Sequence, residues 1–154
     1  MPPSPELIPL ARAAAANHAL DAALVCAVVE QESAWDTHAI RYEPGFRTRY
    51  VAPLALPPTE EVARSISWGL MQVMGQVARE HGFSGKFLSA LCEPAAGLDI
   101  GCAVLASKLA AASPRSGQGI ALDESVVARA LELWNGGANP DYAAQVLARL
   151  PHYK

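Results

Sequence analysis

The chain has no excess of positive charge. Its 154 residues carry 12 Lys and Arg against 15 Asp and Glu, a formal net charge of −3. That balance excludes a dedicated nucleic-acid binder, which concentrates basic residues on one face. An acidic polymer would have to be held by local contacts. Charged residues are also few, 18% against 51% hydrophobic, which argues against disorder. Cysteine is scarce. The odd set Cys26, Cys92 and Cys102 reads as reduced thiols packed as small hydrophobes, and no zinc spacing appears. Long apolar runs are missing too. The longest uncharged stretch, Ser65 to Ala78, has 14 residues, short of the roughly 17–25 a transmembrane helix needs. The opening Met1-Pro2-Pro3-Ser4-Pro5-Glu6 lacks the basic patch and apolar stretch of a Sec signal. No dinucleotide loop, P-loop or nucleophile elbow is present, and His18, His38, His81 and His152 are scattered.

What is abundant is alanine, 30 residues of it. Alanine is the best helix former, and β-branched residues are sparse. The expectation is an all-α, mainly helical single domain over residues 1–154, with a long irregular loop and room for a small hairpin within 41–56. Ser4 and Pro5 mark a first helix to about Asn17. Asp21 caps a second, Ala22 to about Glu32, apolar all round and therefore central to a core. The segment from Ser33 to Glu60, with Pro44, Pro53, Pro57 and Pro58, reads as mostly irregular. Thr59 is placed as the cap of a short helix. Helical spacing of Leu70, Met71, Val73, Met74 and Val77 predicts a helix from Trp68 to Glu80, stopped at His81-Gly82. Further helices are expected from Pro94 to about Ala112, from Asp123 to about Asn135 and from Asn139-Pro140 to about Leu150. A flexible connection is expected over 113–119.

Glu32 closes the apolar second helix. Val28 and Val29 precede it by one turn, so its carboxyl starts beside an apolar wall at the negative end of the helix dipole. Both effects favour the protonated form, which suits a general acid. Glu30 points about 200° away around the helix and is no equivalent partner.

Three segments follow in order: Glu32-Ser33-Ala34-Trp35, then Ser67-Trp68-Gly69-Leu70-Met71-Gln72, then Leu133-Trp134-Asn135-Gly136-Gly137. Together they resemble the motifs of the soluble-lytic-transglycosylase family of the lysozyme superfamily. Glu93-Pro94 and Asp99-Ile100-Gly101 fit the same pattern, and the resemblance runs over about residues 18–150. It implies a lysozyme-like helical fold with a groove for peptidoglycan strands, no cofactor and no metal. It implies that Glu32 protonates the bond between N-acetylmuramic acid and N-acetylglucosamine and then closes a 1,6-anhydro ring. Met71 and Gln72 would line the groove and Asn135 would orient the glycan or Glu32. Ser33 would support the Glu32 loop, and Ser67 and Trp134 complete the substrate-binding set. Trp134 stands where the family has Tyr, so a phenol near the acid is expected to be lost.

The stretch between Glu32 and Gly69 is longer than in typical members and resembles phage-like enzymes of the superfamily. It holds Glu43, a candidate second catalytic carboxylate. An inverting hydrolase needs such a group ~6.5–9.5 Å from its acid. Asp36 is a weaker candidate, and a brace to Arg41 or Arg47 is the structural alternative for Glu43. The readings are a lytic transglycosylase of endolysin type, in the sense of an enzyme made without a Sec signal and released to the wall; a hydrolytic muramidase; and a non-catalytic glycan-binding module. A monomer acting on peptidoglycan, without nucleic acid, is expected.

Overall fold

The computed structural model describes residues 4–113 and 123–154. Helix α1 (Leu7–Asn17) buries Leu7, Ala11 and Ala15 along one stripe. Helix α2 (Ala22–Ser33) is capped by Asp21, whose carboxylate accepts from the Leu24 amide at 2.9 Å. Every residue from Ala23 to Val29 is buried, as an apolar circumference requires. Helix α6 (Pro94–Ala112) is long and apolar enough to cross a bilayer by length and composition. Here it is a second core helix. Leu98, Cys102, Val104, Leu105 and Leu109 are buried, and it packs on α1 and on α7 (Glu124–Asn135). Cys26 and Cys102 are fully buried. Burial pushes both thiols up, Cys102 to about 12, so they act as packing groups. Helix α8 (Tyr142–Arg149) and a 3-10 turn, Leu150–Tyr153, cover α2 from the other side. Of the connection expected over 113–119, all but Ser113 lies outside the described residues.

A three-stranded antiparallel sheet stands beside the helices, in the order β1 (Ile40–Tyr42), β2 (Ile66–Trp68), β3 (Val73–Met74). This corrects two expectations. Only Arg41 and Tyr42 of the range 41–56 are strand, and β1 pairs with β2 rather than with a strand inside that range. The helix expected from Trp68 to Glu80 is a strand, a turn, a strand and only then helix α5 (Gly75–Glu80). The reason is local. Gly69 takes φ +69° and Gln72 φ +50°, which breaks any helix and closes the β2–β3 turn. Gly69 has no alternative, since a Cβ there would lie 2.5 Å from the Leu91 carbonyl oxygen.

The segment read as irregular is also largely wound. A turn of α-helix, α3 (Pro44–Phe46), runs into a π turn, Arg47–Val51, and a 3-10 turn, Ala52–Leu54. Val51 is its buried anchor. Arg47 clamps it to α4 (Pro58–Arg64) through the Glu61 carboxylate. Pro58 rather than Thr59 starts α4, with no side-chain cap. Glu60 then ties α4 to α5, accepting from Arg64 and Arg79 at 2.8 Å each. These two guanidiniums hold the Glu60 carboxyl below its ordinary range.

Candidate active site

Helices α2, α7 and α8 converge on the carboxyl of Glu32. Its Oε1 accepts from the Tyr142 hydroxyl at 2.6 Å and from the Trp134 indole N–H at 2.9 Å. Among the described residues no group bonds Oε2, which leaves that oxygen to carry a proton. Burial raises the Glu32 pKa. The Tyr142 and Trp134 hydrogen bonds and the Arg41 charge pull against it without reversing it. Burial and the Glu32 charge push the Tyr142 phenol up, so Tyr142 stays a donor. The neutral acid is favoured by desolvation, and the carboxylate, once formed, is met by two donors.

The opposite wall is the sheet. Register places Arg41 opposite Ser67 and Ser67 opposite Met74. Residues directly opposite in an antiparallel sheet share a face, and all three line the cleft of about 430 Å³ that contains Glu32. Gln72, Glu43, Val104, Lys108, Trp134 and Asn135 also line it. A separate concavity of about 380 Å³, lined by Asp21, Glu124 and Lys154 among others, shares no residue with this cleft.

The roles inferred from sequence divide here. Gln72 faces the cleft, but its amide is fully engaged. Nε2 donates to the carbonyls of Ala39 at 2.8 Å and Gly69 at 2.9 Å, and Oε1 accepts from Ser67 at 2.9 Å. The Gln72–Ser67 pair locks the hairpin. Ser33 is not in the cleft lining. It donates to the carbonyls of Val29 and Leu70, pinning the end of α2 to the hairpin turn. Met71 is a correction. It is fully buried, and its side chain fills the space above Gly101 of α6. Met74 rather than Met71 is the methionine that lines the cleft. Met71 lies in the β2–β3 turn and Met74 in β3, so turn and strand geometry rather than helical spacing sets which methionine faces out. Asn135 lines the cleft and donates to the Asn139 carbonyl at 3.1 Å, bracing the turn after α7. Gly136 and Gly137 make that turn at φ +72° and +82°. Glu43 enters the same cleft as Glu32 and pairs with Arg41 at 2.9 Å. Asp36 does not line it; its carboxylate accepts from the His38 amide.

The expected loss of a phenol is also overturned. Trp134 supplies one donor, and a phenol arrives from α8 as Tyr142, which the sequence reading missed. Its one signal was a lone Tyr in an amphipathic helix, since a buried Tyr needs a partner for its hydroxyl. No curated protein and no solved structure matches the chain. The family model for the transglycosylase SLT domain matches residues 9–139, a span that includes Glu32, the β2–β3 hairpin and Trp134 and stops short of Tyr142. The chain therefore belongs to the transglycosylase SLT family, the peptidoglycan lytic transglycosylases, and is an enzyme.

Proposed function

We propose that the chain cleaves the β-1,4 bond between N-acetylmuramic acid and N-acetylglucosamine with Glu32 as its single acid and base. The observation that carries this is the carboxyl of Glu32, half-buried at the cleft wall with two donors on one oxygen and the other oxygen unengaged. Glu32 gives its proton to the glycosidic oxygen as the C1–O bond breaks. The carboxylate that results is held by Tyr142 and Trp134. It then takes the proton of the muramic C6 hydroxyl as that oxygen bonds to C1 and closes the 1,6-anhydro ring. No water is consumed, and the enzyme returns to its starting protonation state.

One observation favours a second reading: Glu43 shares the cleft. As a hydrolase, the enzyme would use Glu43 to activate water. Arg41 occupies a Glu43 oxygen, which supports a bracing role instead. Mass analysis of the fragments released from purified peptidoglycan separates the two. The transglycosylase gives products lighter by one water, and Glu43→Gln continues to make them. Reducing-end products that vanish in Glu43→Gln would overturn the single-carboxylate reading.

At the level of biology we read the enzyme as a monomeric phage or prophage endolysin that reaches the wall after release. The long segment between Glu32 and Gly69 supports this. Lysis of host cells on co-expression with a membrane-permeabilising protein, and no lysis with Glu32→Gln, is the expected result.

A further inference from the structure

Lys108 is a cation in the catalytic cleft that neither the acid chemistry nor the fold uses. It projects from α6 one turn after Val104, and both residues line the cleft with Glu32. Its surroundings set it apart from most cations of the chain. Arg47 pairs with Glu61, Arg64 and Arg79 with Glu60, Arg129 with Glu132 and Arg149 with Glu30. Among the described residues no carboxylate stands within ion-pair distance of Lys108. The other cation of the cleft, Arg41, has its guanidinium directed to Glu43.

The sugar ring itself gives such a lysine no charge to bind. Its hydroxyls and N-acetyl groups are neutral and are met by neutral donors and acceptors. An ammonium kept without a counter-ion in a half-enclosed groove gains most from an anion. In peptidoglycan the sugar backbone is uncharged, and the fixed anions beside the scissile bond are the free carboxylates of the stem peptide hung on muramic acid.

We infer that Lys108 is a specificity-determining residue that binds a stem-peptide carboxylate, so that the enzyme prefers strands with free stem carboxylates to strands without them. This rests on the reading of the cleft around Glu32 as the site of glycan cleavage. Lys108 is not a group of the bond-breaking step. It fixes which stretch of a strand settles against Glu32 by pairing with a charge outside the sugar ring. The ammonium is compact and three-donor, so it accepts a carboxylate in several orientations. That suits an anion on a flexible peptide better than a rigid bidentate site would.

The test compares kcat/KM on three forms of one glycan: strands carrying stem peptides, strands stripped by an amidase and then amidated at the lactyl carboxylate that the amidase uncovers, and strands whose stem carboxylates have been converted to amides. Wild type is expected to cleave the first form about tenfold faster than either other form, the size of one charge-assisted hydrogen bond at a partly enclosed site. Added salt should erode that preference. Lys108→Met should bring the ratio close to one, and Lys108→Arg should keep most of it. Melting curves of the variants check folding. Should Lys108→Met not fold, the wild-type ratio between free and amidated carboxylates decides by itself. A wild-type ratio near one, or a preference that survives in folded Lys108→Met, overturns the inference. Wild type inactive on all three forms would instead overturn the assignment of the cleft, and the inference with it.

Discussion

Glu32 is held between two opposing forces, and each makes a prediction at the scale of the residue. Burial raises its pKa above the unfolded value. Ionising it therefore costs stability as pH rises from the unfolded pKa through the folded one. Glu32→Gln keeps an acceptor for Tyr142 and Trp134 and removes that cost. It should raise the melting temperature at pH 7 by about 2–4 °C, the shift roughly 1 kcal/mol gives in a domain of this size, with a smaller gain at pH 4. Tyr142→Phe tests the opposing force. The hydroxyl stabilises the carboxylate, so removing it lets the pKa climb. The alkaline limb of kcat/KM should move to higher pH, and kcat should fall about tenfold as the base step weakens. A profile that stays in place would show that Tyr142 only packs. Glu32 was legible because a carboxyl one turn beyond Val28 and Val29 has to meet an apolar wall. Tyr142 was not, because its partner lies 110 positions away in sequence and nothing local marks a tertiary hydrogen bond.

Among the elements, the β2–β3 hairpin does most to shape the cleft, and it was the least legible. Leu70, Met71, Val73, Met74 and Val77 satisfy a helical period as well as they satisfy strand and turn, and short apolar runs leave that choice open. Two left-handed residues decide it. Gly69→Ala places a Cβ against the Leu91 carbonyl at a positive φ. It should cost about 3 kcal/mol or more in denaturant unfolding, from strain and clash together. The hairpin meets α6 where Met71 lies over Gly101, and a Cβ on Gly101 would come within 2.8 Å of the Met71 Cβ. Gly101→Ala and Met71→Ala should each destabilise, by about 1–3 and 2–5 kcal/mol, and the double variant should cost clearly less than their sum. Additive costs would mean that the two do not share one space. The helices themselves were easier to read. Asp21, Glu93 and Asp123 each accept from a backbone amide of the first turn, and such capping is written in local sequence.

Across the whole molecule, α2 carries the acid, and the residue just past its C-terminal end, Trp35, is clamped by Tyr153. The Trp35 indole donates to the Tyr153 hydroxyl at 2.9 Å, and Arg12 of α1 donates to the Tyr153 carbonyl at 2.8 Å. Tyr153→Ala should cost about 3–4 kcal/mol, from a lost buried aromatic and an unpaired indole N–H. It should do so without moving the pH profile, since the hydrogen bonds on Glu32 come from Tyr142 and Trp134 and not from Tyr153. The helical class was legible from alanine content and from one helix apolar all round. The partner of β1 and the wound segment from Pro44 to Leu54 were not, because strand pairing and the Arg47–Glu61 clamp join residues distant in sequence.

The claim on which the rest depends is that one half-buried carboxyl does both proton transfers. The most direct check digests purified peptidoglycan with wild type and Glu32→Gln at equal concentration and weighs the products. The account predicts 1,6-anhydromuramoyl fragments from wild type, and from the folded variant a rate at least about 10³-fold lower, since no second group can replace the acid. Anhydro fragments released by Glu32→Gln at a rate near wild type would contradict it.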